Sequence, residues 1–170
     1  MNLLFLTITN FSTINERGIY TDLIRKFMEQ GHNVYVVSPS ERKYKKYTNL
    51  KIESGVSILN IRTLNIQKTN IVEKGIGILL LENQFLRAIS NYFTNVKFDL
   101  ILYSTPPITF TKIIQYIKVR DGAKCYLLLK DIFPQNAVDL GMMKKNGILQ
   151  RFFRAKEKQL YQVSDYFGCM

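Results

Sequence analysis

The sequence predicts a Rossmann-like three-layer α/β/α fold with a mostly parallel sheet of about six or seven strands. Short apolar segments typical of buried strands alternate with longer segments whose apolar residues recur every three or four positions, as on one helix face. The first unit comprises a strand over residues 3–8, a helix over about 18–30 and a strand over 34–37. No Pro- or Ser-rich linker divides the 170 residues, so we expect a single domain.

The middle of the chain continues this alternation after a polar interruption. Residues 38–51 are rich in Lys, Arg and Tyr and are expected to form a long surface loop. A third strand over 56–61 and a helix over about 72–93 follow. The inner face of that helix is expected to consist of five apolar residues: Leu79, Leu80, Phe85, Leu86 and Ile89.

The last third of the chain repeats the pattern. We expect strands over residues 98–103 and 124–129, separated by a helix over 108–119, and then a helix over 148–162. A last strand opens at residues 166–169, and because the sequence stops inside this apolar run, we expect a longer protein.

The charge balance restricts the class of partner. The 24 Lys and Arg against 13 Asp and Glu give a formal net charge of +11, which attracts nucleic acid, anionic lipid or phosphorylated ligands. We expect no nucleic acid, because the chain lacks zinc spacing, an aromatic RNA platform and a helix with clustered base-reading residues.

Cysteine usage and hydropathy indicate a cytoplasmic location. Cys125 and Cys169 lie in strand-like apolar runs, so we expect reduced, buried thiols. The apolar run at residues 78–81, like every other run in the sequence, is far too short to span a bilayer, and the opening segment is typical of a strand instead of a signal peptide. No cluster of His, Cys and Asp has metal-ligand spacing, so no metal is expected.

The most informative junction lies between a strand and a short helix. Lys130 and Asp131 follow the strand over 124–129, and ligands of open α/β sheets bind outside the carboxyl ends of strands. Pro134 suits the first position of a helix and Gly141 the position after its end, which predicts a helix of roughly two turns.

Each charge at this junction has two interpretations. Asp131 could orient a substrate hydroxyl or accept its proton, or it could accept hydrogen bonds from the N–H groups of the helix start. Lys130 could bind an anion such as a phosphate, or it could be a solvated surface lysine.

Two further strand ends supply candidate substrate-binding residues. Arg17 and Gly18 precede the first helix, where a glycine permits close approach of a ligand and a helix start favours anions, although a simple turn is the alternative. Ser104 and Thr105 follow another strand, and there the prolines after them could merely end the strand.

A basic, aromatic segment predicts membrane docking. Lys43, Tyr44, Lys45 and Lys46 could bind anionic lipid, together with Lys74 beside an apolar stretch of the long helix. A solvated charged loop is the alternative.

Three segments resemble the amino-terminal half of a bacterial glycosyltransferase of the GT-B fold, in retaining family 4 and near its capsule and O-antigen members. They are the opening Asn-Leu-Leu-Phe-Leu-Thr with residues 17–23, the Gly-His-Asn-Val entry to the second strand within 29–39, and Lys-Asp-Ile-Phe-Pro-Gln at 130–135 with Leu-Gly at 140–141. The last resembles the family's Asp-hydrophobic-Trp-Pro segment, with Phe133 in place of Trp. Lys130 stands where many relatives carry a His that contacts the reacting sugar.

The resemblance implies a surface-polysaccharide enzyme that moves a sugar from a nucleotide-sugar donor to a lipid-linked or glycan acceptor with retention, without a cofactor or an essential metal. The acceptor would be bound here, with Asp131 as its base or orienting group. The donor would be bound mainly by a carboxy-terminal domain in cis that this sequence does not contain, so the fragment alone should be inactive. Such an enzyme would lie in the cytoplasm on the inner face of the plasma membrane. A non-catalytic docking subunit of a two-chain glycosyltransferase is the alternative.

Overall fold

In the part of the chain that the structure describes, strands and helices largely alternate, as the hydropathy pattern predicts, although three strands follow the first helix and two helices precede the last strand. The computed structural model describes residues 1–105 and 107–169, with the side chains of 71, 72 and 74 outside that description. The strands are β1 (Asn2–Leu6), β2 (Asn33–Glu41), β3 (Asn49–Glu53), β4 (Val56–Thr63), β5 (Leu100–Ser104), β6 (Lys124–Leu129) and β7 (Tyr166–Cys169). The helices are α1 (Ile19–Glu29), α2 (Ile71–Tyr92), α3 (Thr111–Asp121), α4 (Gln135–Asp139) and α5 (Ile148–Val163).

All seven strands belong to one sheet, in the order β3-β4-β2-β1-β5-β6-β7. Every pair of neighbours is parallel except β3 and β4. β1 pairs with β2 on one side and with β5 on the other, so the direction of chain order reverses at β1, and only β3, which lies outside β4, departs from outward order. This reversal creates a crevice at the carboxyl ends of β1 and β5, the topological switch point where doubly wound sheets bind ligands. The predicted fold class is confirmed.

Alternating side chains of the strands bury both faces of the sheet. Leu3 and Phe5 of β1 pack on the face that α1 covers, with Ile24 of that helix. Leu4 and Leu6 point to the opposite face, where α2, α3 and α5 pack. A parallel strand covered on both faces is a continuous apolar run, which is why β1 and β6 are evident in the sequence.

The inner face of α2 differs from the prediction. Leu81 and Phe85 are fully buried, whereas Leu79 and Leu80 are 59% and 43% exposed. The buried positions recur with helical spacing, ending at Ile89. The prediction was wrong at Leu79 and Leu80 because the helix is apolar from residue 78 to 81, so that run does not define the rotation of the helix.

The surface loop predicted over residues 38–51 is largely ordered structure. β2 continues to Glu41 with Ser38 and Ser40 buried, because β4 pairs alongside it. β3 then forms the edge of the sheet and returns to β4 through Ser54 and Gly55. Both turn residues have positive φ angles, of 50° and 84°, as a two-residue hairpin of type I′ requires.

Glu53 connects the edge strand to the segment between β1 and α1. Its Oε1 atom accepts hydrogen bonds from the Thr13 hydroxyl and from the Ile14 N–H group at 3.0 Å, and its Oε2 atom lies 2.5 Å from Lys51 Nζ. Lys51 is the first cause of the lowered pKa of this carboxyl, about 2 against an ordinary value of 4.5. The ionised form is therefore the one that the fold stabilises.

We expect Glu53→Gln to lower stability near neutral pH by an amount that disappears in acid. A lowered folded-state pKa contributes stability that is present above the unfolded value and is lost as the pH falls toward the folded value. The difference in urea midpoint between wild type and variant should shrink below about pH 5. A difference that is constant with pH would contradict this account, and Glu16→Gln, at an exposed position, is the control.

The short helix after β6 also differs from its prediction. Pro134 is the residue before α4 instead of its first residue, and α4 has five residues, fewer than two turns. Gly141 does have the positive φ angle, 69°, expected beyond a helix end.

The two cysteines lie in different environments. Cys125 is fully buried in β6, and burial raises its pKa to about 11, so the thiol stays protonated. Cys169 is exposed, which contradicts the predicted burial, because it lies at the end of β7 on the outer edge of the sheet.

Candidate functional site

A polar cavity of about 320 Å³ opens at the switch point of the sheet. The residues after β1, the end of β5 and the residues after β6 form its walls, because parallel strands end at the same edge. Nine residues line it: Thr7, Ile8, Thr9, Tyr20, Gln67, Ser104, Thr105, Lys130 and Asp131.

Tyr20 lies between the strand ends and fixes the position of Lys130. The Tyr20 and Ser104 hydroxyl oxygens are 2.6 Å apart, and the tyrosine ring packs 5.0 Å from that of Phe5. Lys130 Nζ lies 3.9 Å from the Tyr20 ring centroid, a cation–π contact that holds the ammonium over the ring. No described carboxylate forms an ion pair with Lys130, so its charge faces the cavity available for an anion.

Thr105 holds the main chain of β6 beside that of β5. Its N–H donates to the Leu128 carbonyl at 3.1 Å, and its hydroxyl oxygen accepts from the Lys130 N–H at 3.3 Å. These bonds continue the ladder between the strands by one residue, so the backbone at Lys130 is fixed.

Asp131 is half-buried and only partly engaged. Its Oδ1 atom accepts a hydrogen bond from the Asn136 side-chain amide of α4. Oδ2 accepts none from any residue that the structure describes, and no side chain caps α4. Asp131 therefore does not cap α4, because it accepts no hydrogen bond from the described backbone N–H groups of that helix, and the helix-capping interpretation is wrong. One oxygen is left free beside the cavity.

The structure brings together four of the six predicted substrate or catalytic residues: Ser104, Thr105, Lys130 and Asp131. Arg17 and Gly18 lie on the same side, before α1, but do not line the cavity. The φ angle of Gly18 is 179°, extended backbone that any residue adopts, and a Cβ there would meet only the Thr21 hydroxyl at 3.4 Å.

Sequence reasoning missed Tyr20, Gln67 and Asn136. Tyr20 follows Gly18 by two residues, so its place in the first turn after β1 could have indicated it. Gln67 comes from the segment after β4, and only the folded sheet brings it to the cavity.

An apolar cavity of about 310 Å³ adjoins the polar one. Ile8 and Gln67 line both cavities. Its other walls come from α2, α5 and the segments before α2, α3 and α4: Ile66, Ile78, Leu81, Pro107, Ile108, Thr109, Phe133 and Phe153. A ligand with a charged part and an apolar part would fit this pair of cavities.

Of the predicted membrane-docking residues, Lys43 is engaged in an ion pair, whereas others are exposed. Lys43 Nζ lies 2.7 Å from Glu41 Oε2, and this contact is the first cause of the raised pKa of Lys43. Tyr44, Lys45 and Lys46 are exposed, so docking by this loop stays a prediction. The side chain of Lys74 lies outside the described residues.

Neither a metal cluster nor a membrane span is found within residues 1–105 and 107–169. No three His, Cys, Asp or Glu side chains lie close enough there to hold an ion. No described helix combines the length and apolar character needed to cross a bilayer.

The fold and the cavity define a Rossmann-like domain with a polar cavity at the switch point of its sheet. No family model matches the chain. A curated relative, "Probable glycosyltransferase WbjE" from Pseudomonas aeruginosa, is 31% identical over 67 residues, which are 39% of this chain and 17% of that protein.

A solved structure shares the fold. The E. coli structure described as "Trehalose-6-phosphate" bound with UDP-2-fluoro glucose superposes with a TM-score of 0.64 at 8% identity. The match covers 99% of this chain and 39% of that one, so this chain spans well under half of the solved protein. The two findings fit a domain of a GT-B glycosyltransferase, as the sequence resemblance predicts.

Proposed function

We propose that this chain is the acceptor-binding, amino-terminal domain of a retaining family 4 glycosyltransferase that builds a surface polysaccharide such as capsule or O-antigen. The observation that carries the proposal is the polar cavity at the switch point, where Lys130 and Asp131 stand together. The similarity to a probable glycosyltransferase supports the reaction class.

Asp131 is the group that acts on the acceptor hydroxyl. A carboxylate within hydrogen-bond reach of the reacting group can orient it or accept its proton. Asn136 holds Oδ1, so the free Oδ2 atom is already oriented for the acceptor hydroxyl and the side chain does not have to reorganise. The hydroxyl oxygen then forms the new bond to the anomeric carbon as the nucleoside diphosphate leaves.

Lys130 binds an anionic group of the acceptor. Its ammonium is a point charge that suits a phosphate oxygen. Tyr20 holds that ammonium over its ring, and Ser104 positions the tyrosine hydroxyl, so little side-chain entropy remains to be lost on binding. A phosphate held here lies within the same cavity as Asp131.

The adjoining apolar cavity favours a lipid-linked acceptor over a free glycan. Phe133 follows Asp131 by two residues and packs its ring 5.0 Å from that of Phe153 in the cavity wall. An acceptor whose phosphate meets Lys130 could place its first isoprene or acyl carbons among these rings.

A second Rossmann-like domain in cis would bind most of the nucleotide-sugar donor. The chain spans 39% of the solved protein that it matches, which leaves room for such a domain in a longer protein. The fragment alone would then be inactive, and no cofactor or metal would be required. The working location would be the cytoplasmic face of the plasma membrane.

Sugar transfer by the complete protein tests this proposal. The full-length chain is incubated with a panel of labelled nucleotide sugars and a lipid extract of the source cells. We expect label in the organic phase that depends on both components. Acceptor binding without transfer, in a full-length protein that contains no second domain, would overturn the enzyme and favour the docking subunit.

A further inference from the structure

The segment from α4 to the first turns of α5 exposes an unusual amount of apolar surface. Ile148 is 90% exposed, and four large apolar residues near it are between 40% and 75% exposed. These four are Leu140, Met142, Leu149 and Phe152. Exposed apolar groups scattered singly are ordinary, but five within thirteen consecutive positions form a patch that needs a partner.

The same segment is strongly basic. Lys144, Lys145 and Arg151 are exposed and form no ion pair with any described carboxylate. No Asp or Glu lies between Leu140 and Phe152. Of the acidic residues that flank this segment, Asp139 is exposed, and Glu157 is buried and bound by Arg154 at 2.9 Å. The patch therefore combines apolar side chains with uncompensated positive charge.

The position of α5 turns this patch outward. Gln150, Glu157 and Leu160 are its buried residues, so Ile148 and Phe152 lie on the opposite side of the helix. The loop before α5 is attached to the start of this helix, because the Asn146 N–H group donates a hydrogen bond to Gln150 Oε1 at 2.9 Å. We call the exposed residues from Leu140 to Phe152 the α5 surface.

The α5 surface adjoins the candidate site. Phe153, the neighbour of Phe152, lines the apolar cavity, and its ring lies 5.3 Å from that of Phe152. On the other side of that cavity, Ile78 of α2 forms the wall, and Leu79 beside it is exposed. Apolar side chains thus surround the cavity on both flanks.

We propose that the α5 surface is the main membrane-docking surface of the protein and that its partner is an anionic lipid bilayer. Apolar side chains on a helix that lies in the plane of the interface insert among acyl chains, while Lys and Arg bind the headgroups. Each Lys or Arg near an anionic surface contributes an attraction equivalent to about a fivefold change in partitioning. Uncompensated charge beside exposed Ile148 and Phe152 fits this partner.

The loop that contains Lys45 and Lys46 is the other predicted membrane-docking segment, so we compare the α5 surface with it. It offers exposed charge with two tyrosines, whereas the α5 surface offers charge with five large apolar side chains. Hydrophobic insertion adds to electrostatic attraction, so the α5 surface should contribute more to binding.

Vesicle sedimentation of the full-length protein tests the assignment with matched variants. Lys144→Glu with Lys145→Glu makes the same charge change as Lys45→Glu with Lys46→Glu. On vesicles of phosphatidylcholine and phosphatidylglycerol, we expect the first pair to weaken partitioning at least about tenfold and the second pair less. Neither pair should matter on phosphatidylcholine alone.

A second set of variants tests how much the exposed apolar side chains contribute to vesicle binding. Ile148→Ser with Phe152→Ser should weaken binding about tenfold, whereas Val119→Ser, at a position 88% exposed on the last turns of α3, should not. Thermal unfolding of each variant is measured alongside. Unchanged partitioning in both α5 variants would overturn the assignment. So would a lowered melting temperature without loss of vesicle binding, because another part of the protein would then cover the surface.

Discussion

Transfer by the full-length protein is expected to fall about 10²- to 10⁴-fold when Asp131 is replaced by Asn, the range that a positioned general base contributes. The amide of the variant keeps an oxygen that can accept the hydrogen bond from Asn136 but has no basic oxygen to face the acceptor hydroxyl. The melting temperature should stay close to that of wild type. Initial rates at saturating donor and acceptor measure the effect.

Asp139→Asn is the matched control for that variant. Asp139 lies at the end of α4, eight positions further along the chain, and accepts a hydrogen bond from Gln135 at 2.8 Å on the surface. Loss of this carboxylate should leave transfer unchanged. An Asp131→Asn enzyme that transfers at the wild-type rate would remove Asp131 from the mechanism and leave it a structural role.

Phe85→Ala is expected to destabilise the domain by about 3–5 kcal/mol, the ordinary cost of deleting a buried aromatic ring. Phe85 is fully buried, and its ring lies 4.9 Å from that of Phe110, between α2 and the start of α3. Leu79→Ala, on the same helix but exposed, should change the free energy of unfolding by no more than about 0.5 kcal/mol. Urea unfolding of both variants gives the comparison.

This pair also tests the rotation of α2. If Leu79→Ala cost as much as Phe85→Ala, Leu79 would be buried as the sequence predicts, and its observed exposure would be contradicted.

Strand positions could be predicted where the sequence itself marks both faces as buried. The range 124–129 for β6 was predicted to the residue, because its apolar run is bounded by Lys124 and Lys130. The extension of β2 and the existence of β3 could not be predicted in the same way. Ser38 and Ser40 are polar, and only pairing with β4 makes them strand residues.

The residues of the candidate site also fall into those that the sequence could predict and those that it could not. Lys130 and Asp131 could be predicted because charge directly follows a buried strand and the chemistry of strand ends is general. Tyr20 and Gln67 could not, since the order of strands in the sheet decides which distant residues meet there. The α5 surface was missed because helical periodicity gives the spacing of apolar residues, whereas exposure depends on what packs against each face.

The central claim is that this domain binds the acceptor. Its most direct test is to measure the KM for the acceptor and the KM for the donor in the Lys130→Met variant. Methionine keeps much of the apolar stem over Tyr20 but removes the charge. Loss of a charge-assisted contact should raise the acceptor KM about tenfold or more, with the donor KM unchanged. A raised donor KM with an unchanged acceptor KM would contradict the account, because the cavity at Lys130 would then be a donor site.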